Sequence, residues 1–302
     1  MMRNIQFGYL PKKISCQFEI GEFYPIENFD KNITKVSEIC KSKEGFLFPP
    51  ICRTHTKTIP NEDLVPKGPS FSPNIFRFFP THILDYEDSG SELDDFKLNP
   101  VFFILQVIGY VSGYRLLPSE YWFDLRIPDL PTINLLSSDG SLSHVLNVGI
   151  SEWKKWDHSK RIALANLLFI FNRNPCYRWG FEKFDFEYKI IDSCYKILNL
   201  DGKGGHGARL GNLLSHLEIR ESLDNEMCKK IVSMRNELVH ELKWGQDLIA
   251  GRSDKDLFWI TSSLHRLNHR ILGRMIGLSG EYFKSNPKSI FAYDFNVMKP
   301  AP

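Results

Sequence analysis

Arg235, Asn236 and His240 bring an always-charged cation, an amide and an imidazole within six residues of a segment, Met234 to Glu241, that is otherwise apolar-periodic. On a helix of 3.6 residues per turn Asn236 and His240 are one turn apart and share a face, so the amide can orient the ring. Arg235 and His240 are five apart, about 140° around the axis and roughly 7.5 Å along it. A long side chain closes that gap, or two copies of the helix pool their residues. A guanidinium fork holds phosphate and a neutral imidazole takes a proton from a hydroxyl. These residue types therefore suit acid–base attack at a phosphate ester.

Other basic residues stand ready to extend such a site. His206 and Arg209 mark the entrance of a short predicted helix and can add to a phosphate site. His265, Arg266, His269, Arg270 and Arg274 fall on one flank of the last long helix, a one-sided basic surface able to follow a phosphate backbone. Arginines of this kind are also common on ordinary solvated helices. The glycine-rich stretch from Asp201 to Gly207 fails as a phosphate loop, because Gly204 follows Lys203 where Ser or Thr is needed and a helix, not a strand, precedes it. Cys40, Cys52 and His55 match no zinc-module spacing. No metal and no cofactor is expected.

The order Arg235-Asn236-Glu237-Leu238-Val239-His240 resembles the signature of the HEPN superfamily, an Arg followed after four to six residues by His, most often with a polar residue after the Arg. In its wording it looks like the Apea-like branch. The resemblance covers roughly residues 150 to 280. It implies a helical fold, a homodimer along the motif helix, and metal-independent cleavage of RNA, transfer RNA among the candidate targets, in a toxin or anti-phage setting. Other members are non-catalytic, so an RNA- or protein-binding dimer is the alternative. In the catalytic reading His240 is the general base on the ribose 2′-hydroxyl, Arg235 stabilises transition-state charge, and Asn236 fixes the imidazole or the phosphate. Leu242 stands where toxins paired with a nucleotidyltransferase antitoxin carry Tyr, which argues against such a partner.

The elements that must position these residues follow from periodicity. Met227, Ile231, Met234, Leu238 and Leu242 give the motif helix a 3.6-residue apolar stripe, with Asp224 or Asn225 as its cap. Ahead of it, Ser151 to Phe171 reads as one helix. Phe181 to Leu200 reads as a second, with Phe184, Tyr188, Ile191, Tyr195 and Leu198 on one face and Glu187 and Asp192 beside it. Glu187 is either a partner for Arg235 inside the bundle or a partly solvated carboxylate at the stripe edge. After the motif, Asp254 to Leu278 carries a packing seam of Leu257, Ile260, Leu264, Leu267, Ile271, Met275 and Leu278.

Residues 1 to 95 show no sustained helical period, only short aromatic and β-branched runs between prolines, which read as strands and loops. Acidic residues at 85, 87, 88, 92, 94 and 95 read as a solvated loop. Asn99 to Leu116 reads as a buried helix, Tyr121 to Ile127 as a strand, Asp139-Gly140-Ser141 as a turn and Leu146 to Ile150 as a last strand. The fold class is therefore α+β: an irregular strand-containing region, 1–150, followed by an all-α bundle, 151–302, which the resemblance implies is HEPN-like.

Composition bounds the partners. At 302 residues, 42% hydrophobic and 25% charged, the chain has ample core for a globular protein. A net charge of +2 excludes a strongly basic nucleic-acid scaffold, so RNA contact must come from a local patch. The longest apolar run, Val101 to Val111, is broken by Gln106 and Gly109 and is too short to span a bilayer, so no membrane partner is expected. Six scattered cysteines without a Cys-x-x-Cys pair point to a reduced, cytoplasmic setting.

Overall fold

The computed structural model describes residues 2–43, 45–48, 75–76, 79–87, 100–121, 123–124, 126–131, 139–200, 205–219, 225–244 and 255–284. Its first part runs β1 (Met2–Gly8), β2 (Cys16–Phe18), β3 (Gly21–Pro25), α1 (Phe29–Ile39), β4 (Lys41–Lys43), β5 (Phe46–Phe48), β6 (Ile75–Phe76) and β7 (His82–Glu87). Then come α2 (Pro100–Ser112) and three two-residue strands, β8 (Leu117–Pro118), β9 (Phe123–Asp124) and β10 (Ile127–Pro128). Helices complete the order: α3 (Asp139–Lys155), α4 (His158–Arg173), α5 (Gly180–Ile197), α6 (His206–His216), α7 (Asn225–Glu241), α8 (Lys255–Met275) and the short α9 (Glu281–Lys284). The class is α+β, with strands first and a helical C-terminal region.

The main sheet has the order β2-β3-β7-β1-β8 and its strand pairs are antiparallel. Strand β7 alternates, with His82, Leu84 and Tyr86 buried and Ile83, Asp85 and Glu87 more exposed, as a one-sided sheet requires. The buried face joins the helices in one apolar cluster, where Phe7, Phe23 and Leu84 of the sheet meet Phe103 and Ile104 of α2, Leu146 of α3 and Leu164 of α4. The cluster continues through Ile190 of α5 to Leu264 and Ile271 of α8. Each such side chain removed from water stabilises the fold by about 1.5–3 kcal/mol.

Several local expectations are corrected. Helix α1 was read as strand and loop, yet Phe29, Ile33, Val36 and Cys40 follow the helical period; Ile33, Val36 and Cys40 line a second cluster beneath the small strands, and Phe29 packs edge-on against His82. Asp139 to Ser141 is not a turn and Leu146 to Ile150 is not a strand. Both belong to α3, whose Leu142, Val145, Leu146, Ile150 and Trp153 share a buried side. The long helix expected from Ser151 is two, because Asp157 turns extended (φ −66°, ψ 164°) and its carboxylate accepts from the Lys160 amide to start α4. The expected strand at Tyr121 to Ile127 is represented among the described residues by β9 and the first residue of β10.

Gly109 and Gln106, which interrupt the apolar run of α2, have a packing reason. A Cβ on Gly109 would lie 2.7 Å from Asn172 Nδ2 and from the Tyr114 carbonyl, so the bare backbone lets α4 come close. Asn172 then donates to the Gln106 carbonyl at 2.9 Å. Among the described residues no helix is long and apolar enough to cross a membrane. Cys52, His55, most of the acidic cluster after Glu87, residues 201–204, Asp224 and the tail from Ser285 lie outside the described residues.

Candidate functional site

Helix α7 carries the motif because its inner stripe is apolar: Ile231, Met234 and Leu238 are buried at i, i+3 and i+7. The same spacing turns Asn236 and His240 outward, both exposed, with Arg235 half-buried at the seam. Leu242, expected to continue the stripe, is 73% exposed. The helix stops at Glu241, Leu242 adopts φ +53°, and the Lys243 amide turns back to the Glu237 carbonyl at 3.1 Å. Trp244 follows as a fully buried plug whose ring lies 5.4 Å from that of Phe184. The plug anchors the far end of the motif helix on α5.

Arg235, Asn236 and His240 meet within one chain. Arg235 Nη1 donates to Asn236 Oδ1 at 3.1 Å and lies 3.1 Å from His240 Nε2. A guanidinium has only donors, so a hydrogen bond between them requires Nε2 to be unprotonated, with its lone pair on the arginine. Asn236, expected to orient the imidazole or the phosphate, holds the guanidinium. The long arginine side chain closes the five-residue gap on its own.

Under the motif, α5 presents Tyr188, Asp192 and Tyr195 at i, i+4 and i+7, one continuous face. The Arg235 guanidinium lies 5.9 Å from the Tyr188 ring centre. From α6, the His206 ring comes to 5.7 Å from the same tyrosine and its Nδ1 to 3.7 Å from Asp192, while Arg209 lies 5.8 Å from the Tyr195 ring. Burial pushes the Tyr188 phenol up to about 12; Asp192 adds to that, while Arg235 and Arg209 both oppose it. Tyr188 thus remains a protonated donor at neutral pH and feels both guanidinium groups. His206 and Arg209 are brought into the surroundings of Arg235. Tyr188 and Tyr195, which the helical period assigns to packing, are buried members of the core cluster, and they share their face with Asp192.

The basic flank expected on α8 is largely not a surface. His269 and Arg270 are buried, at 0% and 1% exposure. Helix α9 covers them: Tyr282 lies 2.5 Å through its hydroxyl from His269 Nδ1 and its ring faces Arg270. Burial drives the His269 imidazole well below the usual histidine range, so it is neutral. Arg274 donates to the Leu217 and Leu278 carbonyls and to Glu218, closing two helix ends. Arg266 is half-buried. His265 stacks on Phe171 at 4.4 Å and its Nδ1 lies 2.6 Å from Glu187.

Glu187 is also placed otherwise than expected. It is 0% exposed and accepts from Asn174, His265 and Asn268, so its partners are in the core and on α8. Among the described residues no group of three or more His, Cys, Asp and Glu is arranged to hold a metal ion, and no disulfide joins the described cysteines. Comparison with protein-family models, with curated proteins and with solved structures finds no match to this chain.

Proposed function

We propose that the chain is an endoribonuclease of the HEPN type, cleaving RNA through the ribose 2′-hydroxyl without a metal. The observation that carries the reading is the 3.1 Å contact of Arg235 with His240 Nε2 on an exposed helix face. An unprotonated imidazole nitrogen and a phosphate-binding cation are then adjacent and open to solvent. A phosphate that draws the guanidinium away releases the Nε2 lone pair. Nε2 takes the 2′-hydroxyl proton, the 2′-oxygen attacks phosphorus, and the bond to the 5′-oxygen breaks. The 5′-oxygen takes a proton from solvent as it leaves and Nε2 returns its own proton to solvent, giving a 2′,3′-cyclic phosphate and a 5′-hydroxyl. Arg235 neutralises charge on the unbridged oxygens as the phosphorane forms. DNA, which lacks the 2′-hydroxyl, is spared.

A homodimer through α7 belongs to the same proposal. Val239 and Leu242 flank His240 and are 47% and 73% exposed, which leaves apolar surface beside the polar motif. That exposure also favours a second reading, a non-catalytic dimer that binds RNA or protein. The test is cleavage of total cellular RNA and purified transfer RNA, in chelator, by wild type and His240→Ala protein, with the fragment ends identified. Cyclic-phosphate fragments from wild type alone support the nuclease. Equal patterns from both folded proteins refute His240 as the base and favour the binding dimer.

A further inference from the structure

The face of α5 beside the motif carries more positive charge than the fold needs. Among the described residues neither Arg209 nor Arg235 is paired with a carboxylate: Arg235 is held by Asn236 and His240, and Arg209 lies against the Tyr195 ring. Asp192, the acid on this face, has His206 Nδ1 at 3.7 Å. Two guanidinium groups near one tyrosine, neither with a carboxylate partner among the described residues, repel each other.

A second observation points the same way. Among the described residues the Tyr195 hydroxyl, on a side chain that is 7% exposed, is buried without a hydrogen-bond partner, and so is Arg209 Nε. Buried donors of this kind are rare in folded proteins unless something else satisfies them. The Arg209 guanidinium lies 5.8 Å from the Tyr195 ring centre, so both orphaned donors belong to the α6 end of the face. Arg235 serves the Tyr188 end. Seven residues of helix separate Tyr188 from Tyr195, about 10 Å along the axis.

We propose that Arg209, with the Tyr195 hydroxyl, forms a second phosphate subsite beside Arg235, so that this face of α5 holds two phosphates of one RNA strand. The identification of the strand as RNA rests on the ribonuclease reading, whereas the subsite itself rests on the two unpaired arginines and the orphaned donors. A phosphodiester offers two unbridged oxygens, which matches a guanidinium fork and a phenol donor at one end and a second fork at the other. Inorganic phosphate fills one end only and is held weakly.

The experiment uses the full chain and a fluorescent 2′-O-methyl octaribonucleotide, which cannot be cleaved by 2′-hydroxyl attack. Inorganic phosphate and a polyglutamate peptide serve as competitors. Arg209→Ala is expected to weaken octamer binding about tenfold, the loss of one charge-assisted contact. It should also lower the slope of log affinity against log salt by about 0.7, the share of one single-strand phosphate. Tyr195→Phe, which removes only the hydroxyl, weakens binding several-fold, and Arg209→Lys restores the salt slope.

Unchanged affinity and slope in Arg209→Ala, or no octamer binding by wild type at low salt, overturn the subsite. Competition by polyglutamate as strong as by unlabelled octamer overturns it in favour of an acidic protein segment. Should Arg209→Ala fail to fold, unchanged binding by Tyr195→Phe overturns it as well. Octamer binding that depends on Arg209 in a protein that cleaves no RNA keeps the subsite and removes the nuclease. Cleavage lost in His240→Ala with octamer binding indifferent to Arg209 does the reverse.

Discussion

Glu187 and His265 meet at 2.6 Å inside the bundle, and Asn268 adds a second donor to the same carboxylate at 2.6 Å. The acid is thereby spent in the core, and Arg235 on the neighbouring helix keeps its guanidinium for Asn236 and His240. Glu187 and Tyr188, adjacent on α5, thus turn to different helices, the first to α8 and the second to Arg235 of α7.

That separation predicts opposite mutant behaviour. Glu187→Ala strips the acceptor from Asn174, His265 and Asn268 and is expected to destabilise by about 3–5 kcal/mol, as a core substitution that leaves several buried donors unsatisfied does. Chemical denaturation measures it. A loss under 1 kcal/mol would show that the network rearranges without its carboxylate.

Removal of the exposed motif has the converse signature. His240→Ala and Asn236→Ala change stability within about 0.5 kcal/mol, as surface substitutions do. His240→Ala is expected to lower RNA cleavage by about 10²–10⁴-fold, the usual contribution of a general base. A cleavage rate equal to wild type removes His240 from the chemistry.

Leu242 tests the dimer. A leucine at φ +53° is held in a conformation that costs roughly 1–2 kcal/mol, and Asn tolerates it better. Leu242→Asn is therefore expected to raise monomer stability by up to about 1 kcal/mol while weakening self-association through lost apolar surface. Sedimentation with thermal unfolding reads both. Self-association equal to that of wild type excludes Leu242 from the interface.

Acid should weaken the fold in two stages. His82 is buried among Phe7, Phe23 and Phe29, and desolvation pulls its imidazole down to about 4; buried His269 lies well below its ordinary value. Both are neutral when folded and ordinary histidines when unfolded, so the unfolded chain binds more protons below about pH 6.5. Their contribution is present above that pH. It falls by about 1.4 kcal/mol per unit for each as pH drops, ending near 4 for His82. Asp124, held at about 2 by Arg173 and Arg115, adds a loss that begins below about pH 4. Denaturant titrations at successive pH values should show the first slope halved in His82→Gln. An unaltered slope assigns it to other groups.

The sequence determined whatever depends on local period. The stripe of Ile231, Met234 and Leu238 fixes which side of α7 is buried, and therefore puts Asn236 and His240 outward whatever lies beneath. The same signal was present in α1 and α3, where Phe29, Ile33 and Val36, or Leu142, Leu146, Ile150 and Trp153, repeat at helical spacing. It was obscured by flanking prolines, a turn-like Asp139-Gly140 and the shortness of each window, in which strand and helix patterns overlap. Only the tertiary structure decided which polar groups are spent and which are left over. His269 and Arg270 lie on the polar side of α8 by spacing, yet α9, beyond that helix, folds back over them. Glu187 finds His265, and Asp192 finds His206, across helix contacts that no helical repeat encodes. A repeat specifies that a face is covered; what covers it is set by residues far away in the chain.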